Sequence, residues 1–298
     1  MRIPDALKWL RSYPEGFAWL DALPRLVRVS AAAWDLRVGK PYAASSVSLA
    51  LPATRPDGSP AVLKIQFPDR ESEYEADALA RWDGEGAVRL LEQDRELHAL
   101  LLEQCDPGTP LSREEPERAL DVLIGLLPRL WVPAAAPFFR LLAEEAAWWA
   151  DGLVARWERA GRPFERRLVD AALDMLVVLP DSQGEQVLLH QDLHGDNVLR
   201  AAREPWLAID PKPLAGEREL GAAPIIRSFE LGHGRQAVLR RLDRLTAELG
   251  LDRARARGWT IAQTVAWSCD SDHASEHLDT VRWLLEPRSD GPRPALHR

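Results

Sequence analysis

Apolar residues recur at helical spacing through the first segment of the chain, where Leu7, Leu10, Phe17, Leu20, Leu23 and Leu26 predict a helix over residues 5–27. The period then changes to two. Val47-Ser48-Leu49-Ala50-Leu51 and Ala61-Val62-Leu63-Lys64-Ile65 alternate as half-buried strands do, and Arg55-Pro56-Asp57-Gly58-Ser59 between them carries turn chemistry, so the pair reads as a hairpin. Residues 70–83 are charged, with Tyr74, Ala78, Leu79 and Trp82 on one side, as a surface helix requires. Short strands follow near 87–91 and 97–103. The texture changes at Asp106-Pro107-Gly108, after which Ser112 and Glu115 suggest a capping box, and residues 113–130, 138–160 and 163–179 read as successive helices. Val187-Leu188-Leu189-His190 and Trp206-Leu207-Ala208-Ile209-Asp210 are short apolar strands, and the pattern is helical again from Glu217, with a loose tail after Pro287. A sheet-rich first third and a helical remainder predict an α+β chain of two lobes, 1–104 and 105–298.

Composition narrows the partners. The 298 residues carry 38 Lys and Arg against 46 Asp and Glu, a formal charge of −8, which is the wrong sign for a nucleic acid or an anionic membrane. No uncharged run reaches the roughly 20 apolar residues of a membrane span, and charges interrupt residues 1–29 where a signal peptide needs an apolar stretch. Cys105 and Cys269 stand far apart, which fits a reducing cytoplasm better than a disulfide scaffold or a cysteine zinc site.

The densest polar cluster is His190-Gln191-Asp192-Leu193-His194-Gly195-Asp196-Asn197, set between apolar residues, with Asp210 ending the next strand. Phosphoryl transfer needs one carboxylate to take a hydroxyl proton and hard oxygen ligands to hold Mg²⁺ against phosphate. Asp192 is the candidate base, and Asn197 and Asp210 are the candidate metal ligands. A rival reading places His190, Asp192, His194 and Asp196 on one face of a strand as a Zn²⁺ or Mn²⁺ site, although Gly195 argues for a loop. Lys64 lies within an apolar strand, where an ammonium needs an anionic partner; Glu71, Glu73 and Glu75 are at hand, and Glu75 falls nearest the core-facing side. The chain has four lysines, so one in such a place stands out. A phosphate-covering loop is represented by Gly39 and the following residues, where Ser45 or Ser46 offers a hydroxyl.

The stretch Leu188–Leu199 followed by Ala208-Ile209-Asp210-Pro211-Lys212-Pro213-Leu214-Ala215-Gly216-Glu217 resembles the aminoglycoside/hydroxyurea antibiotic-resistance kinases, of which streptomycin 6-phosphotransferases are the best-known members. Supporting stretches are residues 57–64, 86–91 and 107–111, and the resemblance runs from about residue 40 to about 230. It implies a bilobal, protein-kinase-like fold that binds ATP and Mg²⁺, with Asp192 as base, Asn197 and Asp210 on the metal, and Lys64 paired to an acidic helix residue and the nucleotide phosphates. Adenine would meet the backbone around Glu103 to Cys105.

A polycationic acceptor calls for carboxylates and aromatic faces. From Gly258 to Val281 there is no Lys or Arg, whereas Asp270, Asp272, Glu276 and Asp279 surround Trp267; the 138–160 helix adds Glu144, Glu145, Trp148, Trp149 and Asp151. These residues are the candidate acceptor contacts, unless they are solvated faces over buried tryptophan. The expected reaction moves the γ-phosphoryl of ATP to a hydroxyl of a small cationic acceptor such as streptomycin, at its 6-hydroxyl. Alternatives are another hydroxylated metabolite, an amino sugar, hydroxyurea, or a nucleotide-binding module without turnover.

Overall fold

A computed structural model describes residues 2–43, 47–134, 139–269 and 273–286. The predicted first helix is two pieces. Residues Asp5–Ser12 form a 3-10 helix, and α1 (Pro14–Ala33) starts afresh after it. Tyr13 is extended (φ −141°, ψ 155°) because a residue before proline is excluded from the helical region, while Pro14 suits the first helical position.

A five-stranded antiparallel sheet follows, made of β1 (Arg37–Val38), β2 (Ser48–Thr54), β3 (Pro60–Gln66), β4 (Leu90–Asp94) and β5 (Ala99–Glu103), in the order β1-β2-β3-β5-β4. Its alternation sorts two faces. Leu49, Leu51, Leu63, Ile65, Ala99 and Leu101 pack with Leu20, Leu23 and Val27 of α1 in one core, each large side chain contributing about 1.5–3 kcal/mol on burial. Lys64, between Leu63 and Ile65, therefore projects from the opposite face. Helix α2 (Glu75–Trp82) lies between β3 and β4 in sequence, shorter than the predicted 70–83.

Helix α3 (Pro116–Leu130) begins later than expected. Ser112 does not cap it: Glu115 is the residue before a proline start, and the Ser112 hydroxyl donates instead to the Asp196 carboxylate. Helices α4 (Leu142–Arg159) and α5 (Arg166–Val178) follow, then β6 (Gln186–Leu189), β7 (Val198–Arg200), β8 (Trp206–Ala208) and β9 (Leu214–Glu217), with β6 pairing β9 and β7 pairing β8. The C-terminal helices are α6 (Arg218–Gly221), α7 (Ala223–Arg227), α8 (Arg235–Leu249), α9 (Arg253–Ser268) and α10 (Ala274–Leu285). Among the described residues, no helix is long and apolar enough to cross a membrane.

By packing, the chain divides into two compact units: Met1–Arg140 with Gln186–Ala215, and Leu141–Glu185 with Gly216–Arg298. The boundary expected at 104/105 falls inside the first unit, because the polar loop and its hairpin pack with the sheet. In the second unit, buried Glu217 accepts from Arg255 at 2.6 and 2.8 Å, from the Gly184 amide at 3.3 Å and from the Trp259 indole. These contacts bind α9 to the chain before β6.

Candidate active site

The register of the β7–β8 hairpin builds the site. Val198 pairs with Ala208, so Asn197 stands opposite Ile209, whose amide donates to the Asn197 carbonyl at 2.9 Å. Asp210 is the next residue. A second tie, Lys212 N–H to the His190 carbonyl at 3.0 Å, holds the segment after Asp210 against the start of the polar loop. Gln191 (φ 66°) and Asp210 (φ 56°) both occupy the left-handed region, which costs a residue with a Cβ about 1 kcal/mol or more and is tolerated where the surroundings enforce it. A Cβ on Gly195 would lie 3.0 Å from the Ser112 backbone, so a larger residue would have to push the two segments apart by a few tenths of an ångström.

His190 is an anchor. It is buried, stacks on Trp82 with ring centroids 6.1 Å apart, and its Nε2–H donates to the Ile209 carbonyl at 2.9 Å. Burial pulls its pKa down to about 4, which keeps the ring neutral. The left-handed Gln191 and the 3-10 turn Gly195–Asn197 break any strand through the loop, so the alternate-face metal reading of His190, Asp192, His194 and Asp196 is ruled out. Among the described residues, no three His, Cys, Asp or Glu side chains form a metal-binding group.

The charged centre lies within the first unit. Lys64 (6% exposed) places its ammonium 2.7 and 2.6 Å from the two carboxylate oxygens of Glu75 (1% exposed) and also against Asp210 Oδ1. Gln66 donates to Glu75 Oε2 at 2.7 Å. Burial opposes charge on Lys64, but Asp210 and Glu75 outweigh it and keep the ammonium protonated above the usual lysine range. Burial pushes Glu75 up to about 7 against the pull of Lys64. Burial also disfavours charge on Asp210, yet Lys64 and Lys212 hold its carboxyl below the ordinary value.

Asp192 is fixed by two neighbours. Asn197 Nδ2 donates to its carbonyl at 2.9 Å and lies 3.5 Å from its Oδ2, which turns Asn197 Oδ1 the other way. Lys212 Nζ donates to Asp192 Oδ2 at 2.9 Å and stands 3.6 Å from Glu71 Oε2. Sequence reasoning gave Lys212 no role. The signal was present, since it is one of only four lysines and lies two residues beyond Asp210.

Glu103 pairs through both carboxylate oxygens with Arg203, at 2.9 Å each, and its amide donates to the Arg89 carbonyl at 2.9 Å. Its side chain and amide thus have partners within the first unit. Burial, then the Glu103 charge, pushes the Cys105 thiol up to about 12. Ser45, Asp270 and Asp272 lie outside the described residues. In the second unit, the Arg227 guanidinium sits 4.7 Å from the Trp267 ring centroid and donates to Gln263 at 2.6 Å, so a cation of the chain itself already stacks on that ring. Glu276 is half-buried in the first turn of α10.

A model of the family described as aminoglycoside/hydroxyurea antibiotic resistance kinase matches residues 34–273. The chain belongs to this family. It is 38% identical over 292 residues to a streptomycin 6-kinase of Streptomyces glaucescens, spanning 95% of this chain and 94% of the relative. It is 41% identical over 254 residues to a hydroxyurea phosphotransferase of Kitasatospora aureofaciens, spanning 84% and 73%. Among solved structures, the choline kinase LicA of Streptococcus pneumoniae superposes with a TM-score of 0.64 at 13% identity, over 88% of this chain and 98% of that one. That likeness shows the expected kinase-like α+β fold. In this resistance kinase, two polar groups, Lys64 with Glu75 and Asp210, and Asp192 with Asn197 and Lys212, are brought side by side by the Ile209 amide on the Asn197 carbonyl, although 148 positions of sequence separate Lys64 from Lys212.

Proposed function

We propose that the protein transfers the γ-phosphoryl group of ATP to a hydroxyl of an aminoglycoside, with streptomycin and its 6-hydroxyl as the acceptor. The observation that carries this reading is the placing of the Lys64–Glu75–Asp210 cluster beside the Asn197–Asp192 pair, with the Ile209 amide on the Asn197 carbonyl one residue before Asp210. Asp192 accepts the hydroxyl proton as the acceptor oxygen bonds to the γ-phosphorus; the bond from that phosphorus to the bridging oxygen breaks, and ADP leaves with its electrons. Lys64, steadied by Glu75, binds the nucleotide phosphates. The Ser45 hydroxyl and the backbone near Glu103 and Cys105 are assigned to the phosphates and the adenine, with residues 1–104 as the nucleotide-binding lobe and 105–298 as the catalytic and acceptor-binding lobe.

The donors suit Mg²⁺. Asn197 Oδ1 and the Asp210 carboxylate are hard oxygens, and two protein ligands leave positions for phosphate and water, as this ion prefers. When Glu71, Glu75, Asp192 and Asp210 are all ionised, the ammoniums of Lys64 and Lys212 leave two negative charges, which a divalent cation neutralises. The ion would supply charge stabilisation for the transferring phosphoryl. A cytoplasmic place of action, where ATP is at hand, fits the reaction, and acceptor recognition is assigned to Trp267, Asp270, Asp272 and Glu276.

Incubation of the purified protein with Mg-ATP and streptomycin should give a product heavier by one phosphoryl group, located by fragmentation. No product would discard this acceptor. A parallel reaction with hydroxyurea tests the second reading, which the 41% identity to a hydroxyurea phosphotransferase favours.

A further inference from the structure

Buried Lys64 and half-buried Lys212 of the first unit are each shared by two carboxylates, one before or at the start of α2 and one from the polar loop or its hairpin. Lys64 lies between Glu75 and Asp210, and Lys212 lies between Glu71 and Asp192. Both lysines, with Glu71, Glu75 and Asp210, line one crevice. Lys64 binds the nucleotide phosphates in the proposed reaction, and Lys212 has no part in it so far. We propose that Lys212 is a catalytic residue, whose ammonium, held between Asp192 and Glu71, contacts the phosphoryl group as it moves from ATP to the acceptor. The inference rests on Asp192 being the base.

The distances carry it. A base works within about 2.6–3.2 Å of the hydroxyl it deprotonates, and that oxygen approaches phosphorus from about 3–3.5 Å. An ammonium 2.9 Å from Asp192 Oδ2 is therefore within reach of the equatorial oxygens of a phosphoryl group passing to a hydroxyl that Asp192 holds. Charge spreads over those oxygens at the transition state, and a preorganised cation there acts more strongly on the transition state than on bound ATP. The backbone is preorganised as well. Lys212 N–H is tied to the His190 carbonyl, and the preceding Pro211 restricts the chain between Asp210 and Lys212. During the step the hydroxyl proton goes to Asp192, the new O–P bond forms, and the bridging oxygen departs with ADP; Lys212 remains protonated throughout. A purely structural role, neutralising Asp192 and Glu71, predicts a different outcome for its loss.

The test compares wild type, Lys212→Met and Lys212→Arg, with folding followed by circular dichroism. If wild type phosphorylates streptomycin, Lys212→Met should lose on the order of 10²–10³ in kcat while the KM for ATP moves by less than about 3-fold. Lys212→Arg, which keeps the cation, should recover at least about 10-fold of that loss. A kcat within about 3-fold of wild type in the Met variant, or a loss matched by equally weaker Mg-ADP binding, overturns the proposal. A second arm needs no acceptor. Aluminium fluoride with Mg-ADP mimics the transferring phosphoryl, and calorimetry should show it tightening ADP binding in wild type and not in Lys212→Met. Equal tightening in both overturns the role of Lys212, whatever the acceptor proves to be, whereas a wild type that phosphorylates nothing but discriminates in this arm overturns the acceptor alone. A Met variant that fails to fold leaves Lys212→Arg to decide, since full activity loss there with an intact fold also contradicts a role filled by charge.

Discussion

The transfer residues and the candidate acceptor residues sit in regions built on opposite terms. Around Lys64 the opposite charges, from 11 and 146 residues away, meet in one cluster around a buried ammonium. Around Trp267 the charges are settled by pairs within the second unit, most of them on partly exposed side chains. Arg227 covers the indole, and Arg282 joins Glu165 at 2.8 Å and Asp279 at 2.7 Å. Asp279, one of the four carboxylates in the run without Lys or Arg, is thus already paired with the first basic residue beyond that run. The contrast shows what makes a sequence motif readable. Phosphoryl transfer dictates residue types and spacing, whereas a charge run states only composition and is satisfied equally by internal pairing.

Removing the base should break the first region most sharply. Asp192→Ala is expected to cost on the order of 10²–10⁴ in turnover with ATP affinity largely kept, measured by steady-state assay and nucleotide titration. Acid should next separate the regions. The His190 ring is held neutral by burial, with its pKa near 4 against about 6.5 unfolded, so both states are neutral above pH 6.5 and its share of stability is complete there. As pH falls from 6.5 toward 4 the unfolded chain binds a proton that the folded chain refuses, and up to about 3 kcal/mol is lost. Urea midpoints at pH 7 and pH 5 should therefore converge in His190→Gln. His277, also drawn down to about 4 by burial but only half-buried, should give a smaller convergence in His277→Gln. Asp210→Ala should weaken Mg-ADP binding by roughly 10–100-fold, as when a metal site loses supporting contacts, measured by calorimetry.

Much of the first region was legible. The alternation of β3 put Lys64 on the face away from the Leu63–Ile65 core, and the helical phase of α2 put Glu75 toward the interior. The spacing from Asp192 to Asn197 and on to Asp210 marked the loop and its hairpin. Lys212 was missed because its partner Asp192 lies 20 residues away, beyond any local period. The break at Tyr13-Pro14 and the late start of α3 at Pro116 were written in the prolines, but the hydrophobic spacing ran through both and masked them. Arg227 over Trp267 had no local signal, because only the packing of α7 against α9 brings residues 40 positions apart into contact. The Arg203–Glu103 pair, 100 positions apart, was hidden for the same reason.

The finest test asks whether any carboxylate of the second region serves an acceptor. Glu276 is half-buried at the start of α10, and its neighbour along the helix, Asp279, is held by Arg282. A hydrogen bond to a charged group is worth about 1.5–3 kcal/mol, and partial exposure favours the lower end. Glu276→Gln should therefore raise the KM for streptomycin roughly 10-fold, leaving the KM for ATP unchanged. Asp279→Asn is the internal control: loss of its pair with Arg282 should lower the melting temperature and leave the acceptor KM where it was. An unchanged acceptor KM in Glu276→Gln would make the run a solvated face and shift acceptor recognition to other residues, with the chemistry around Asp192 untouched.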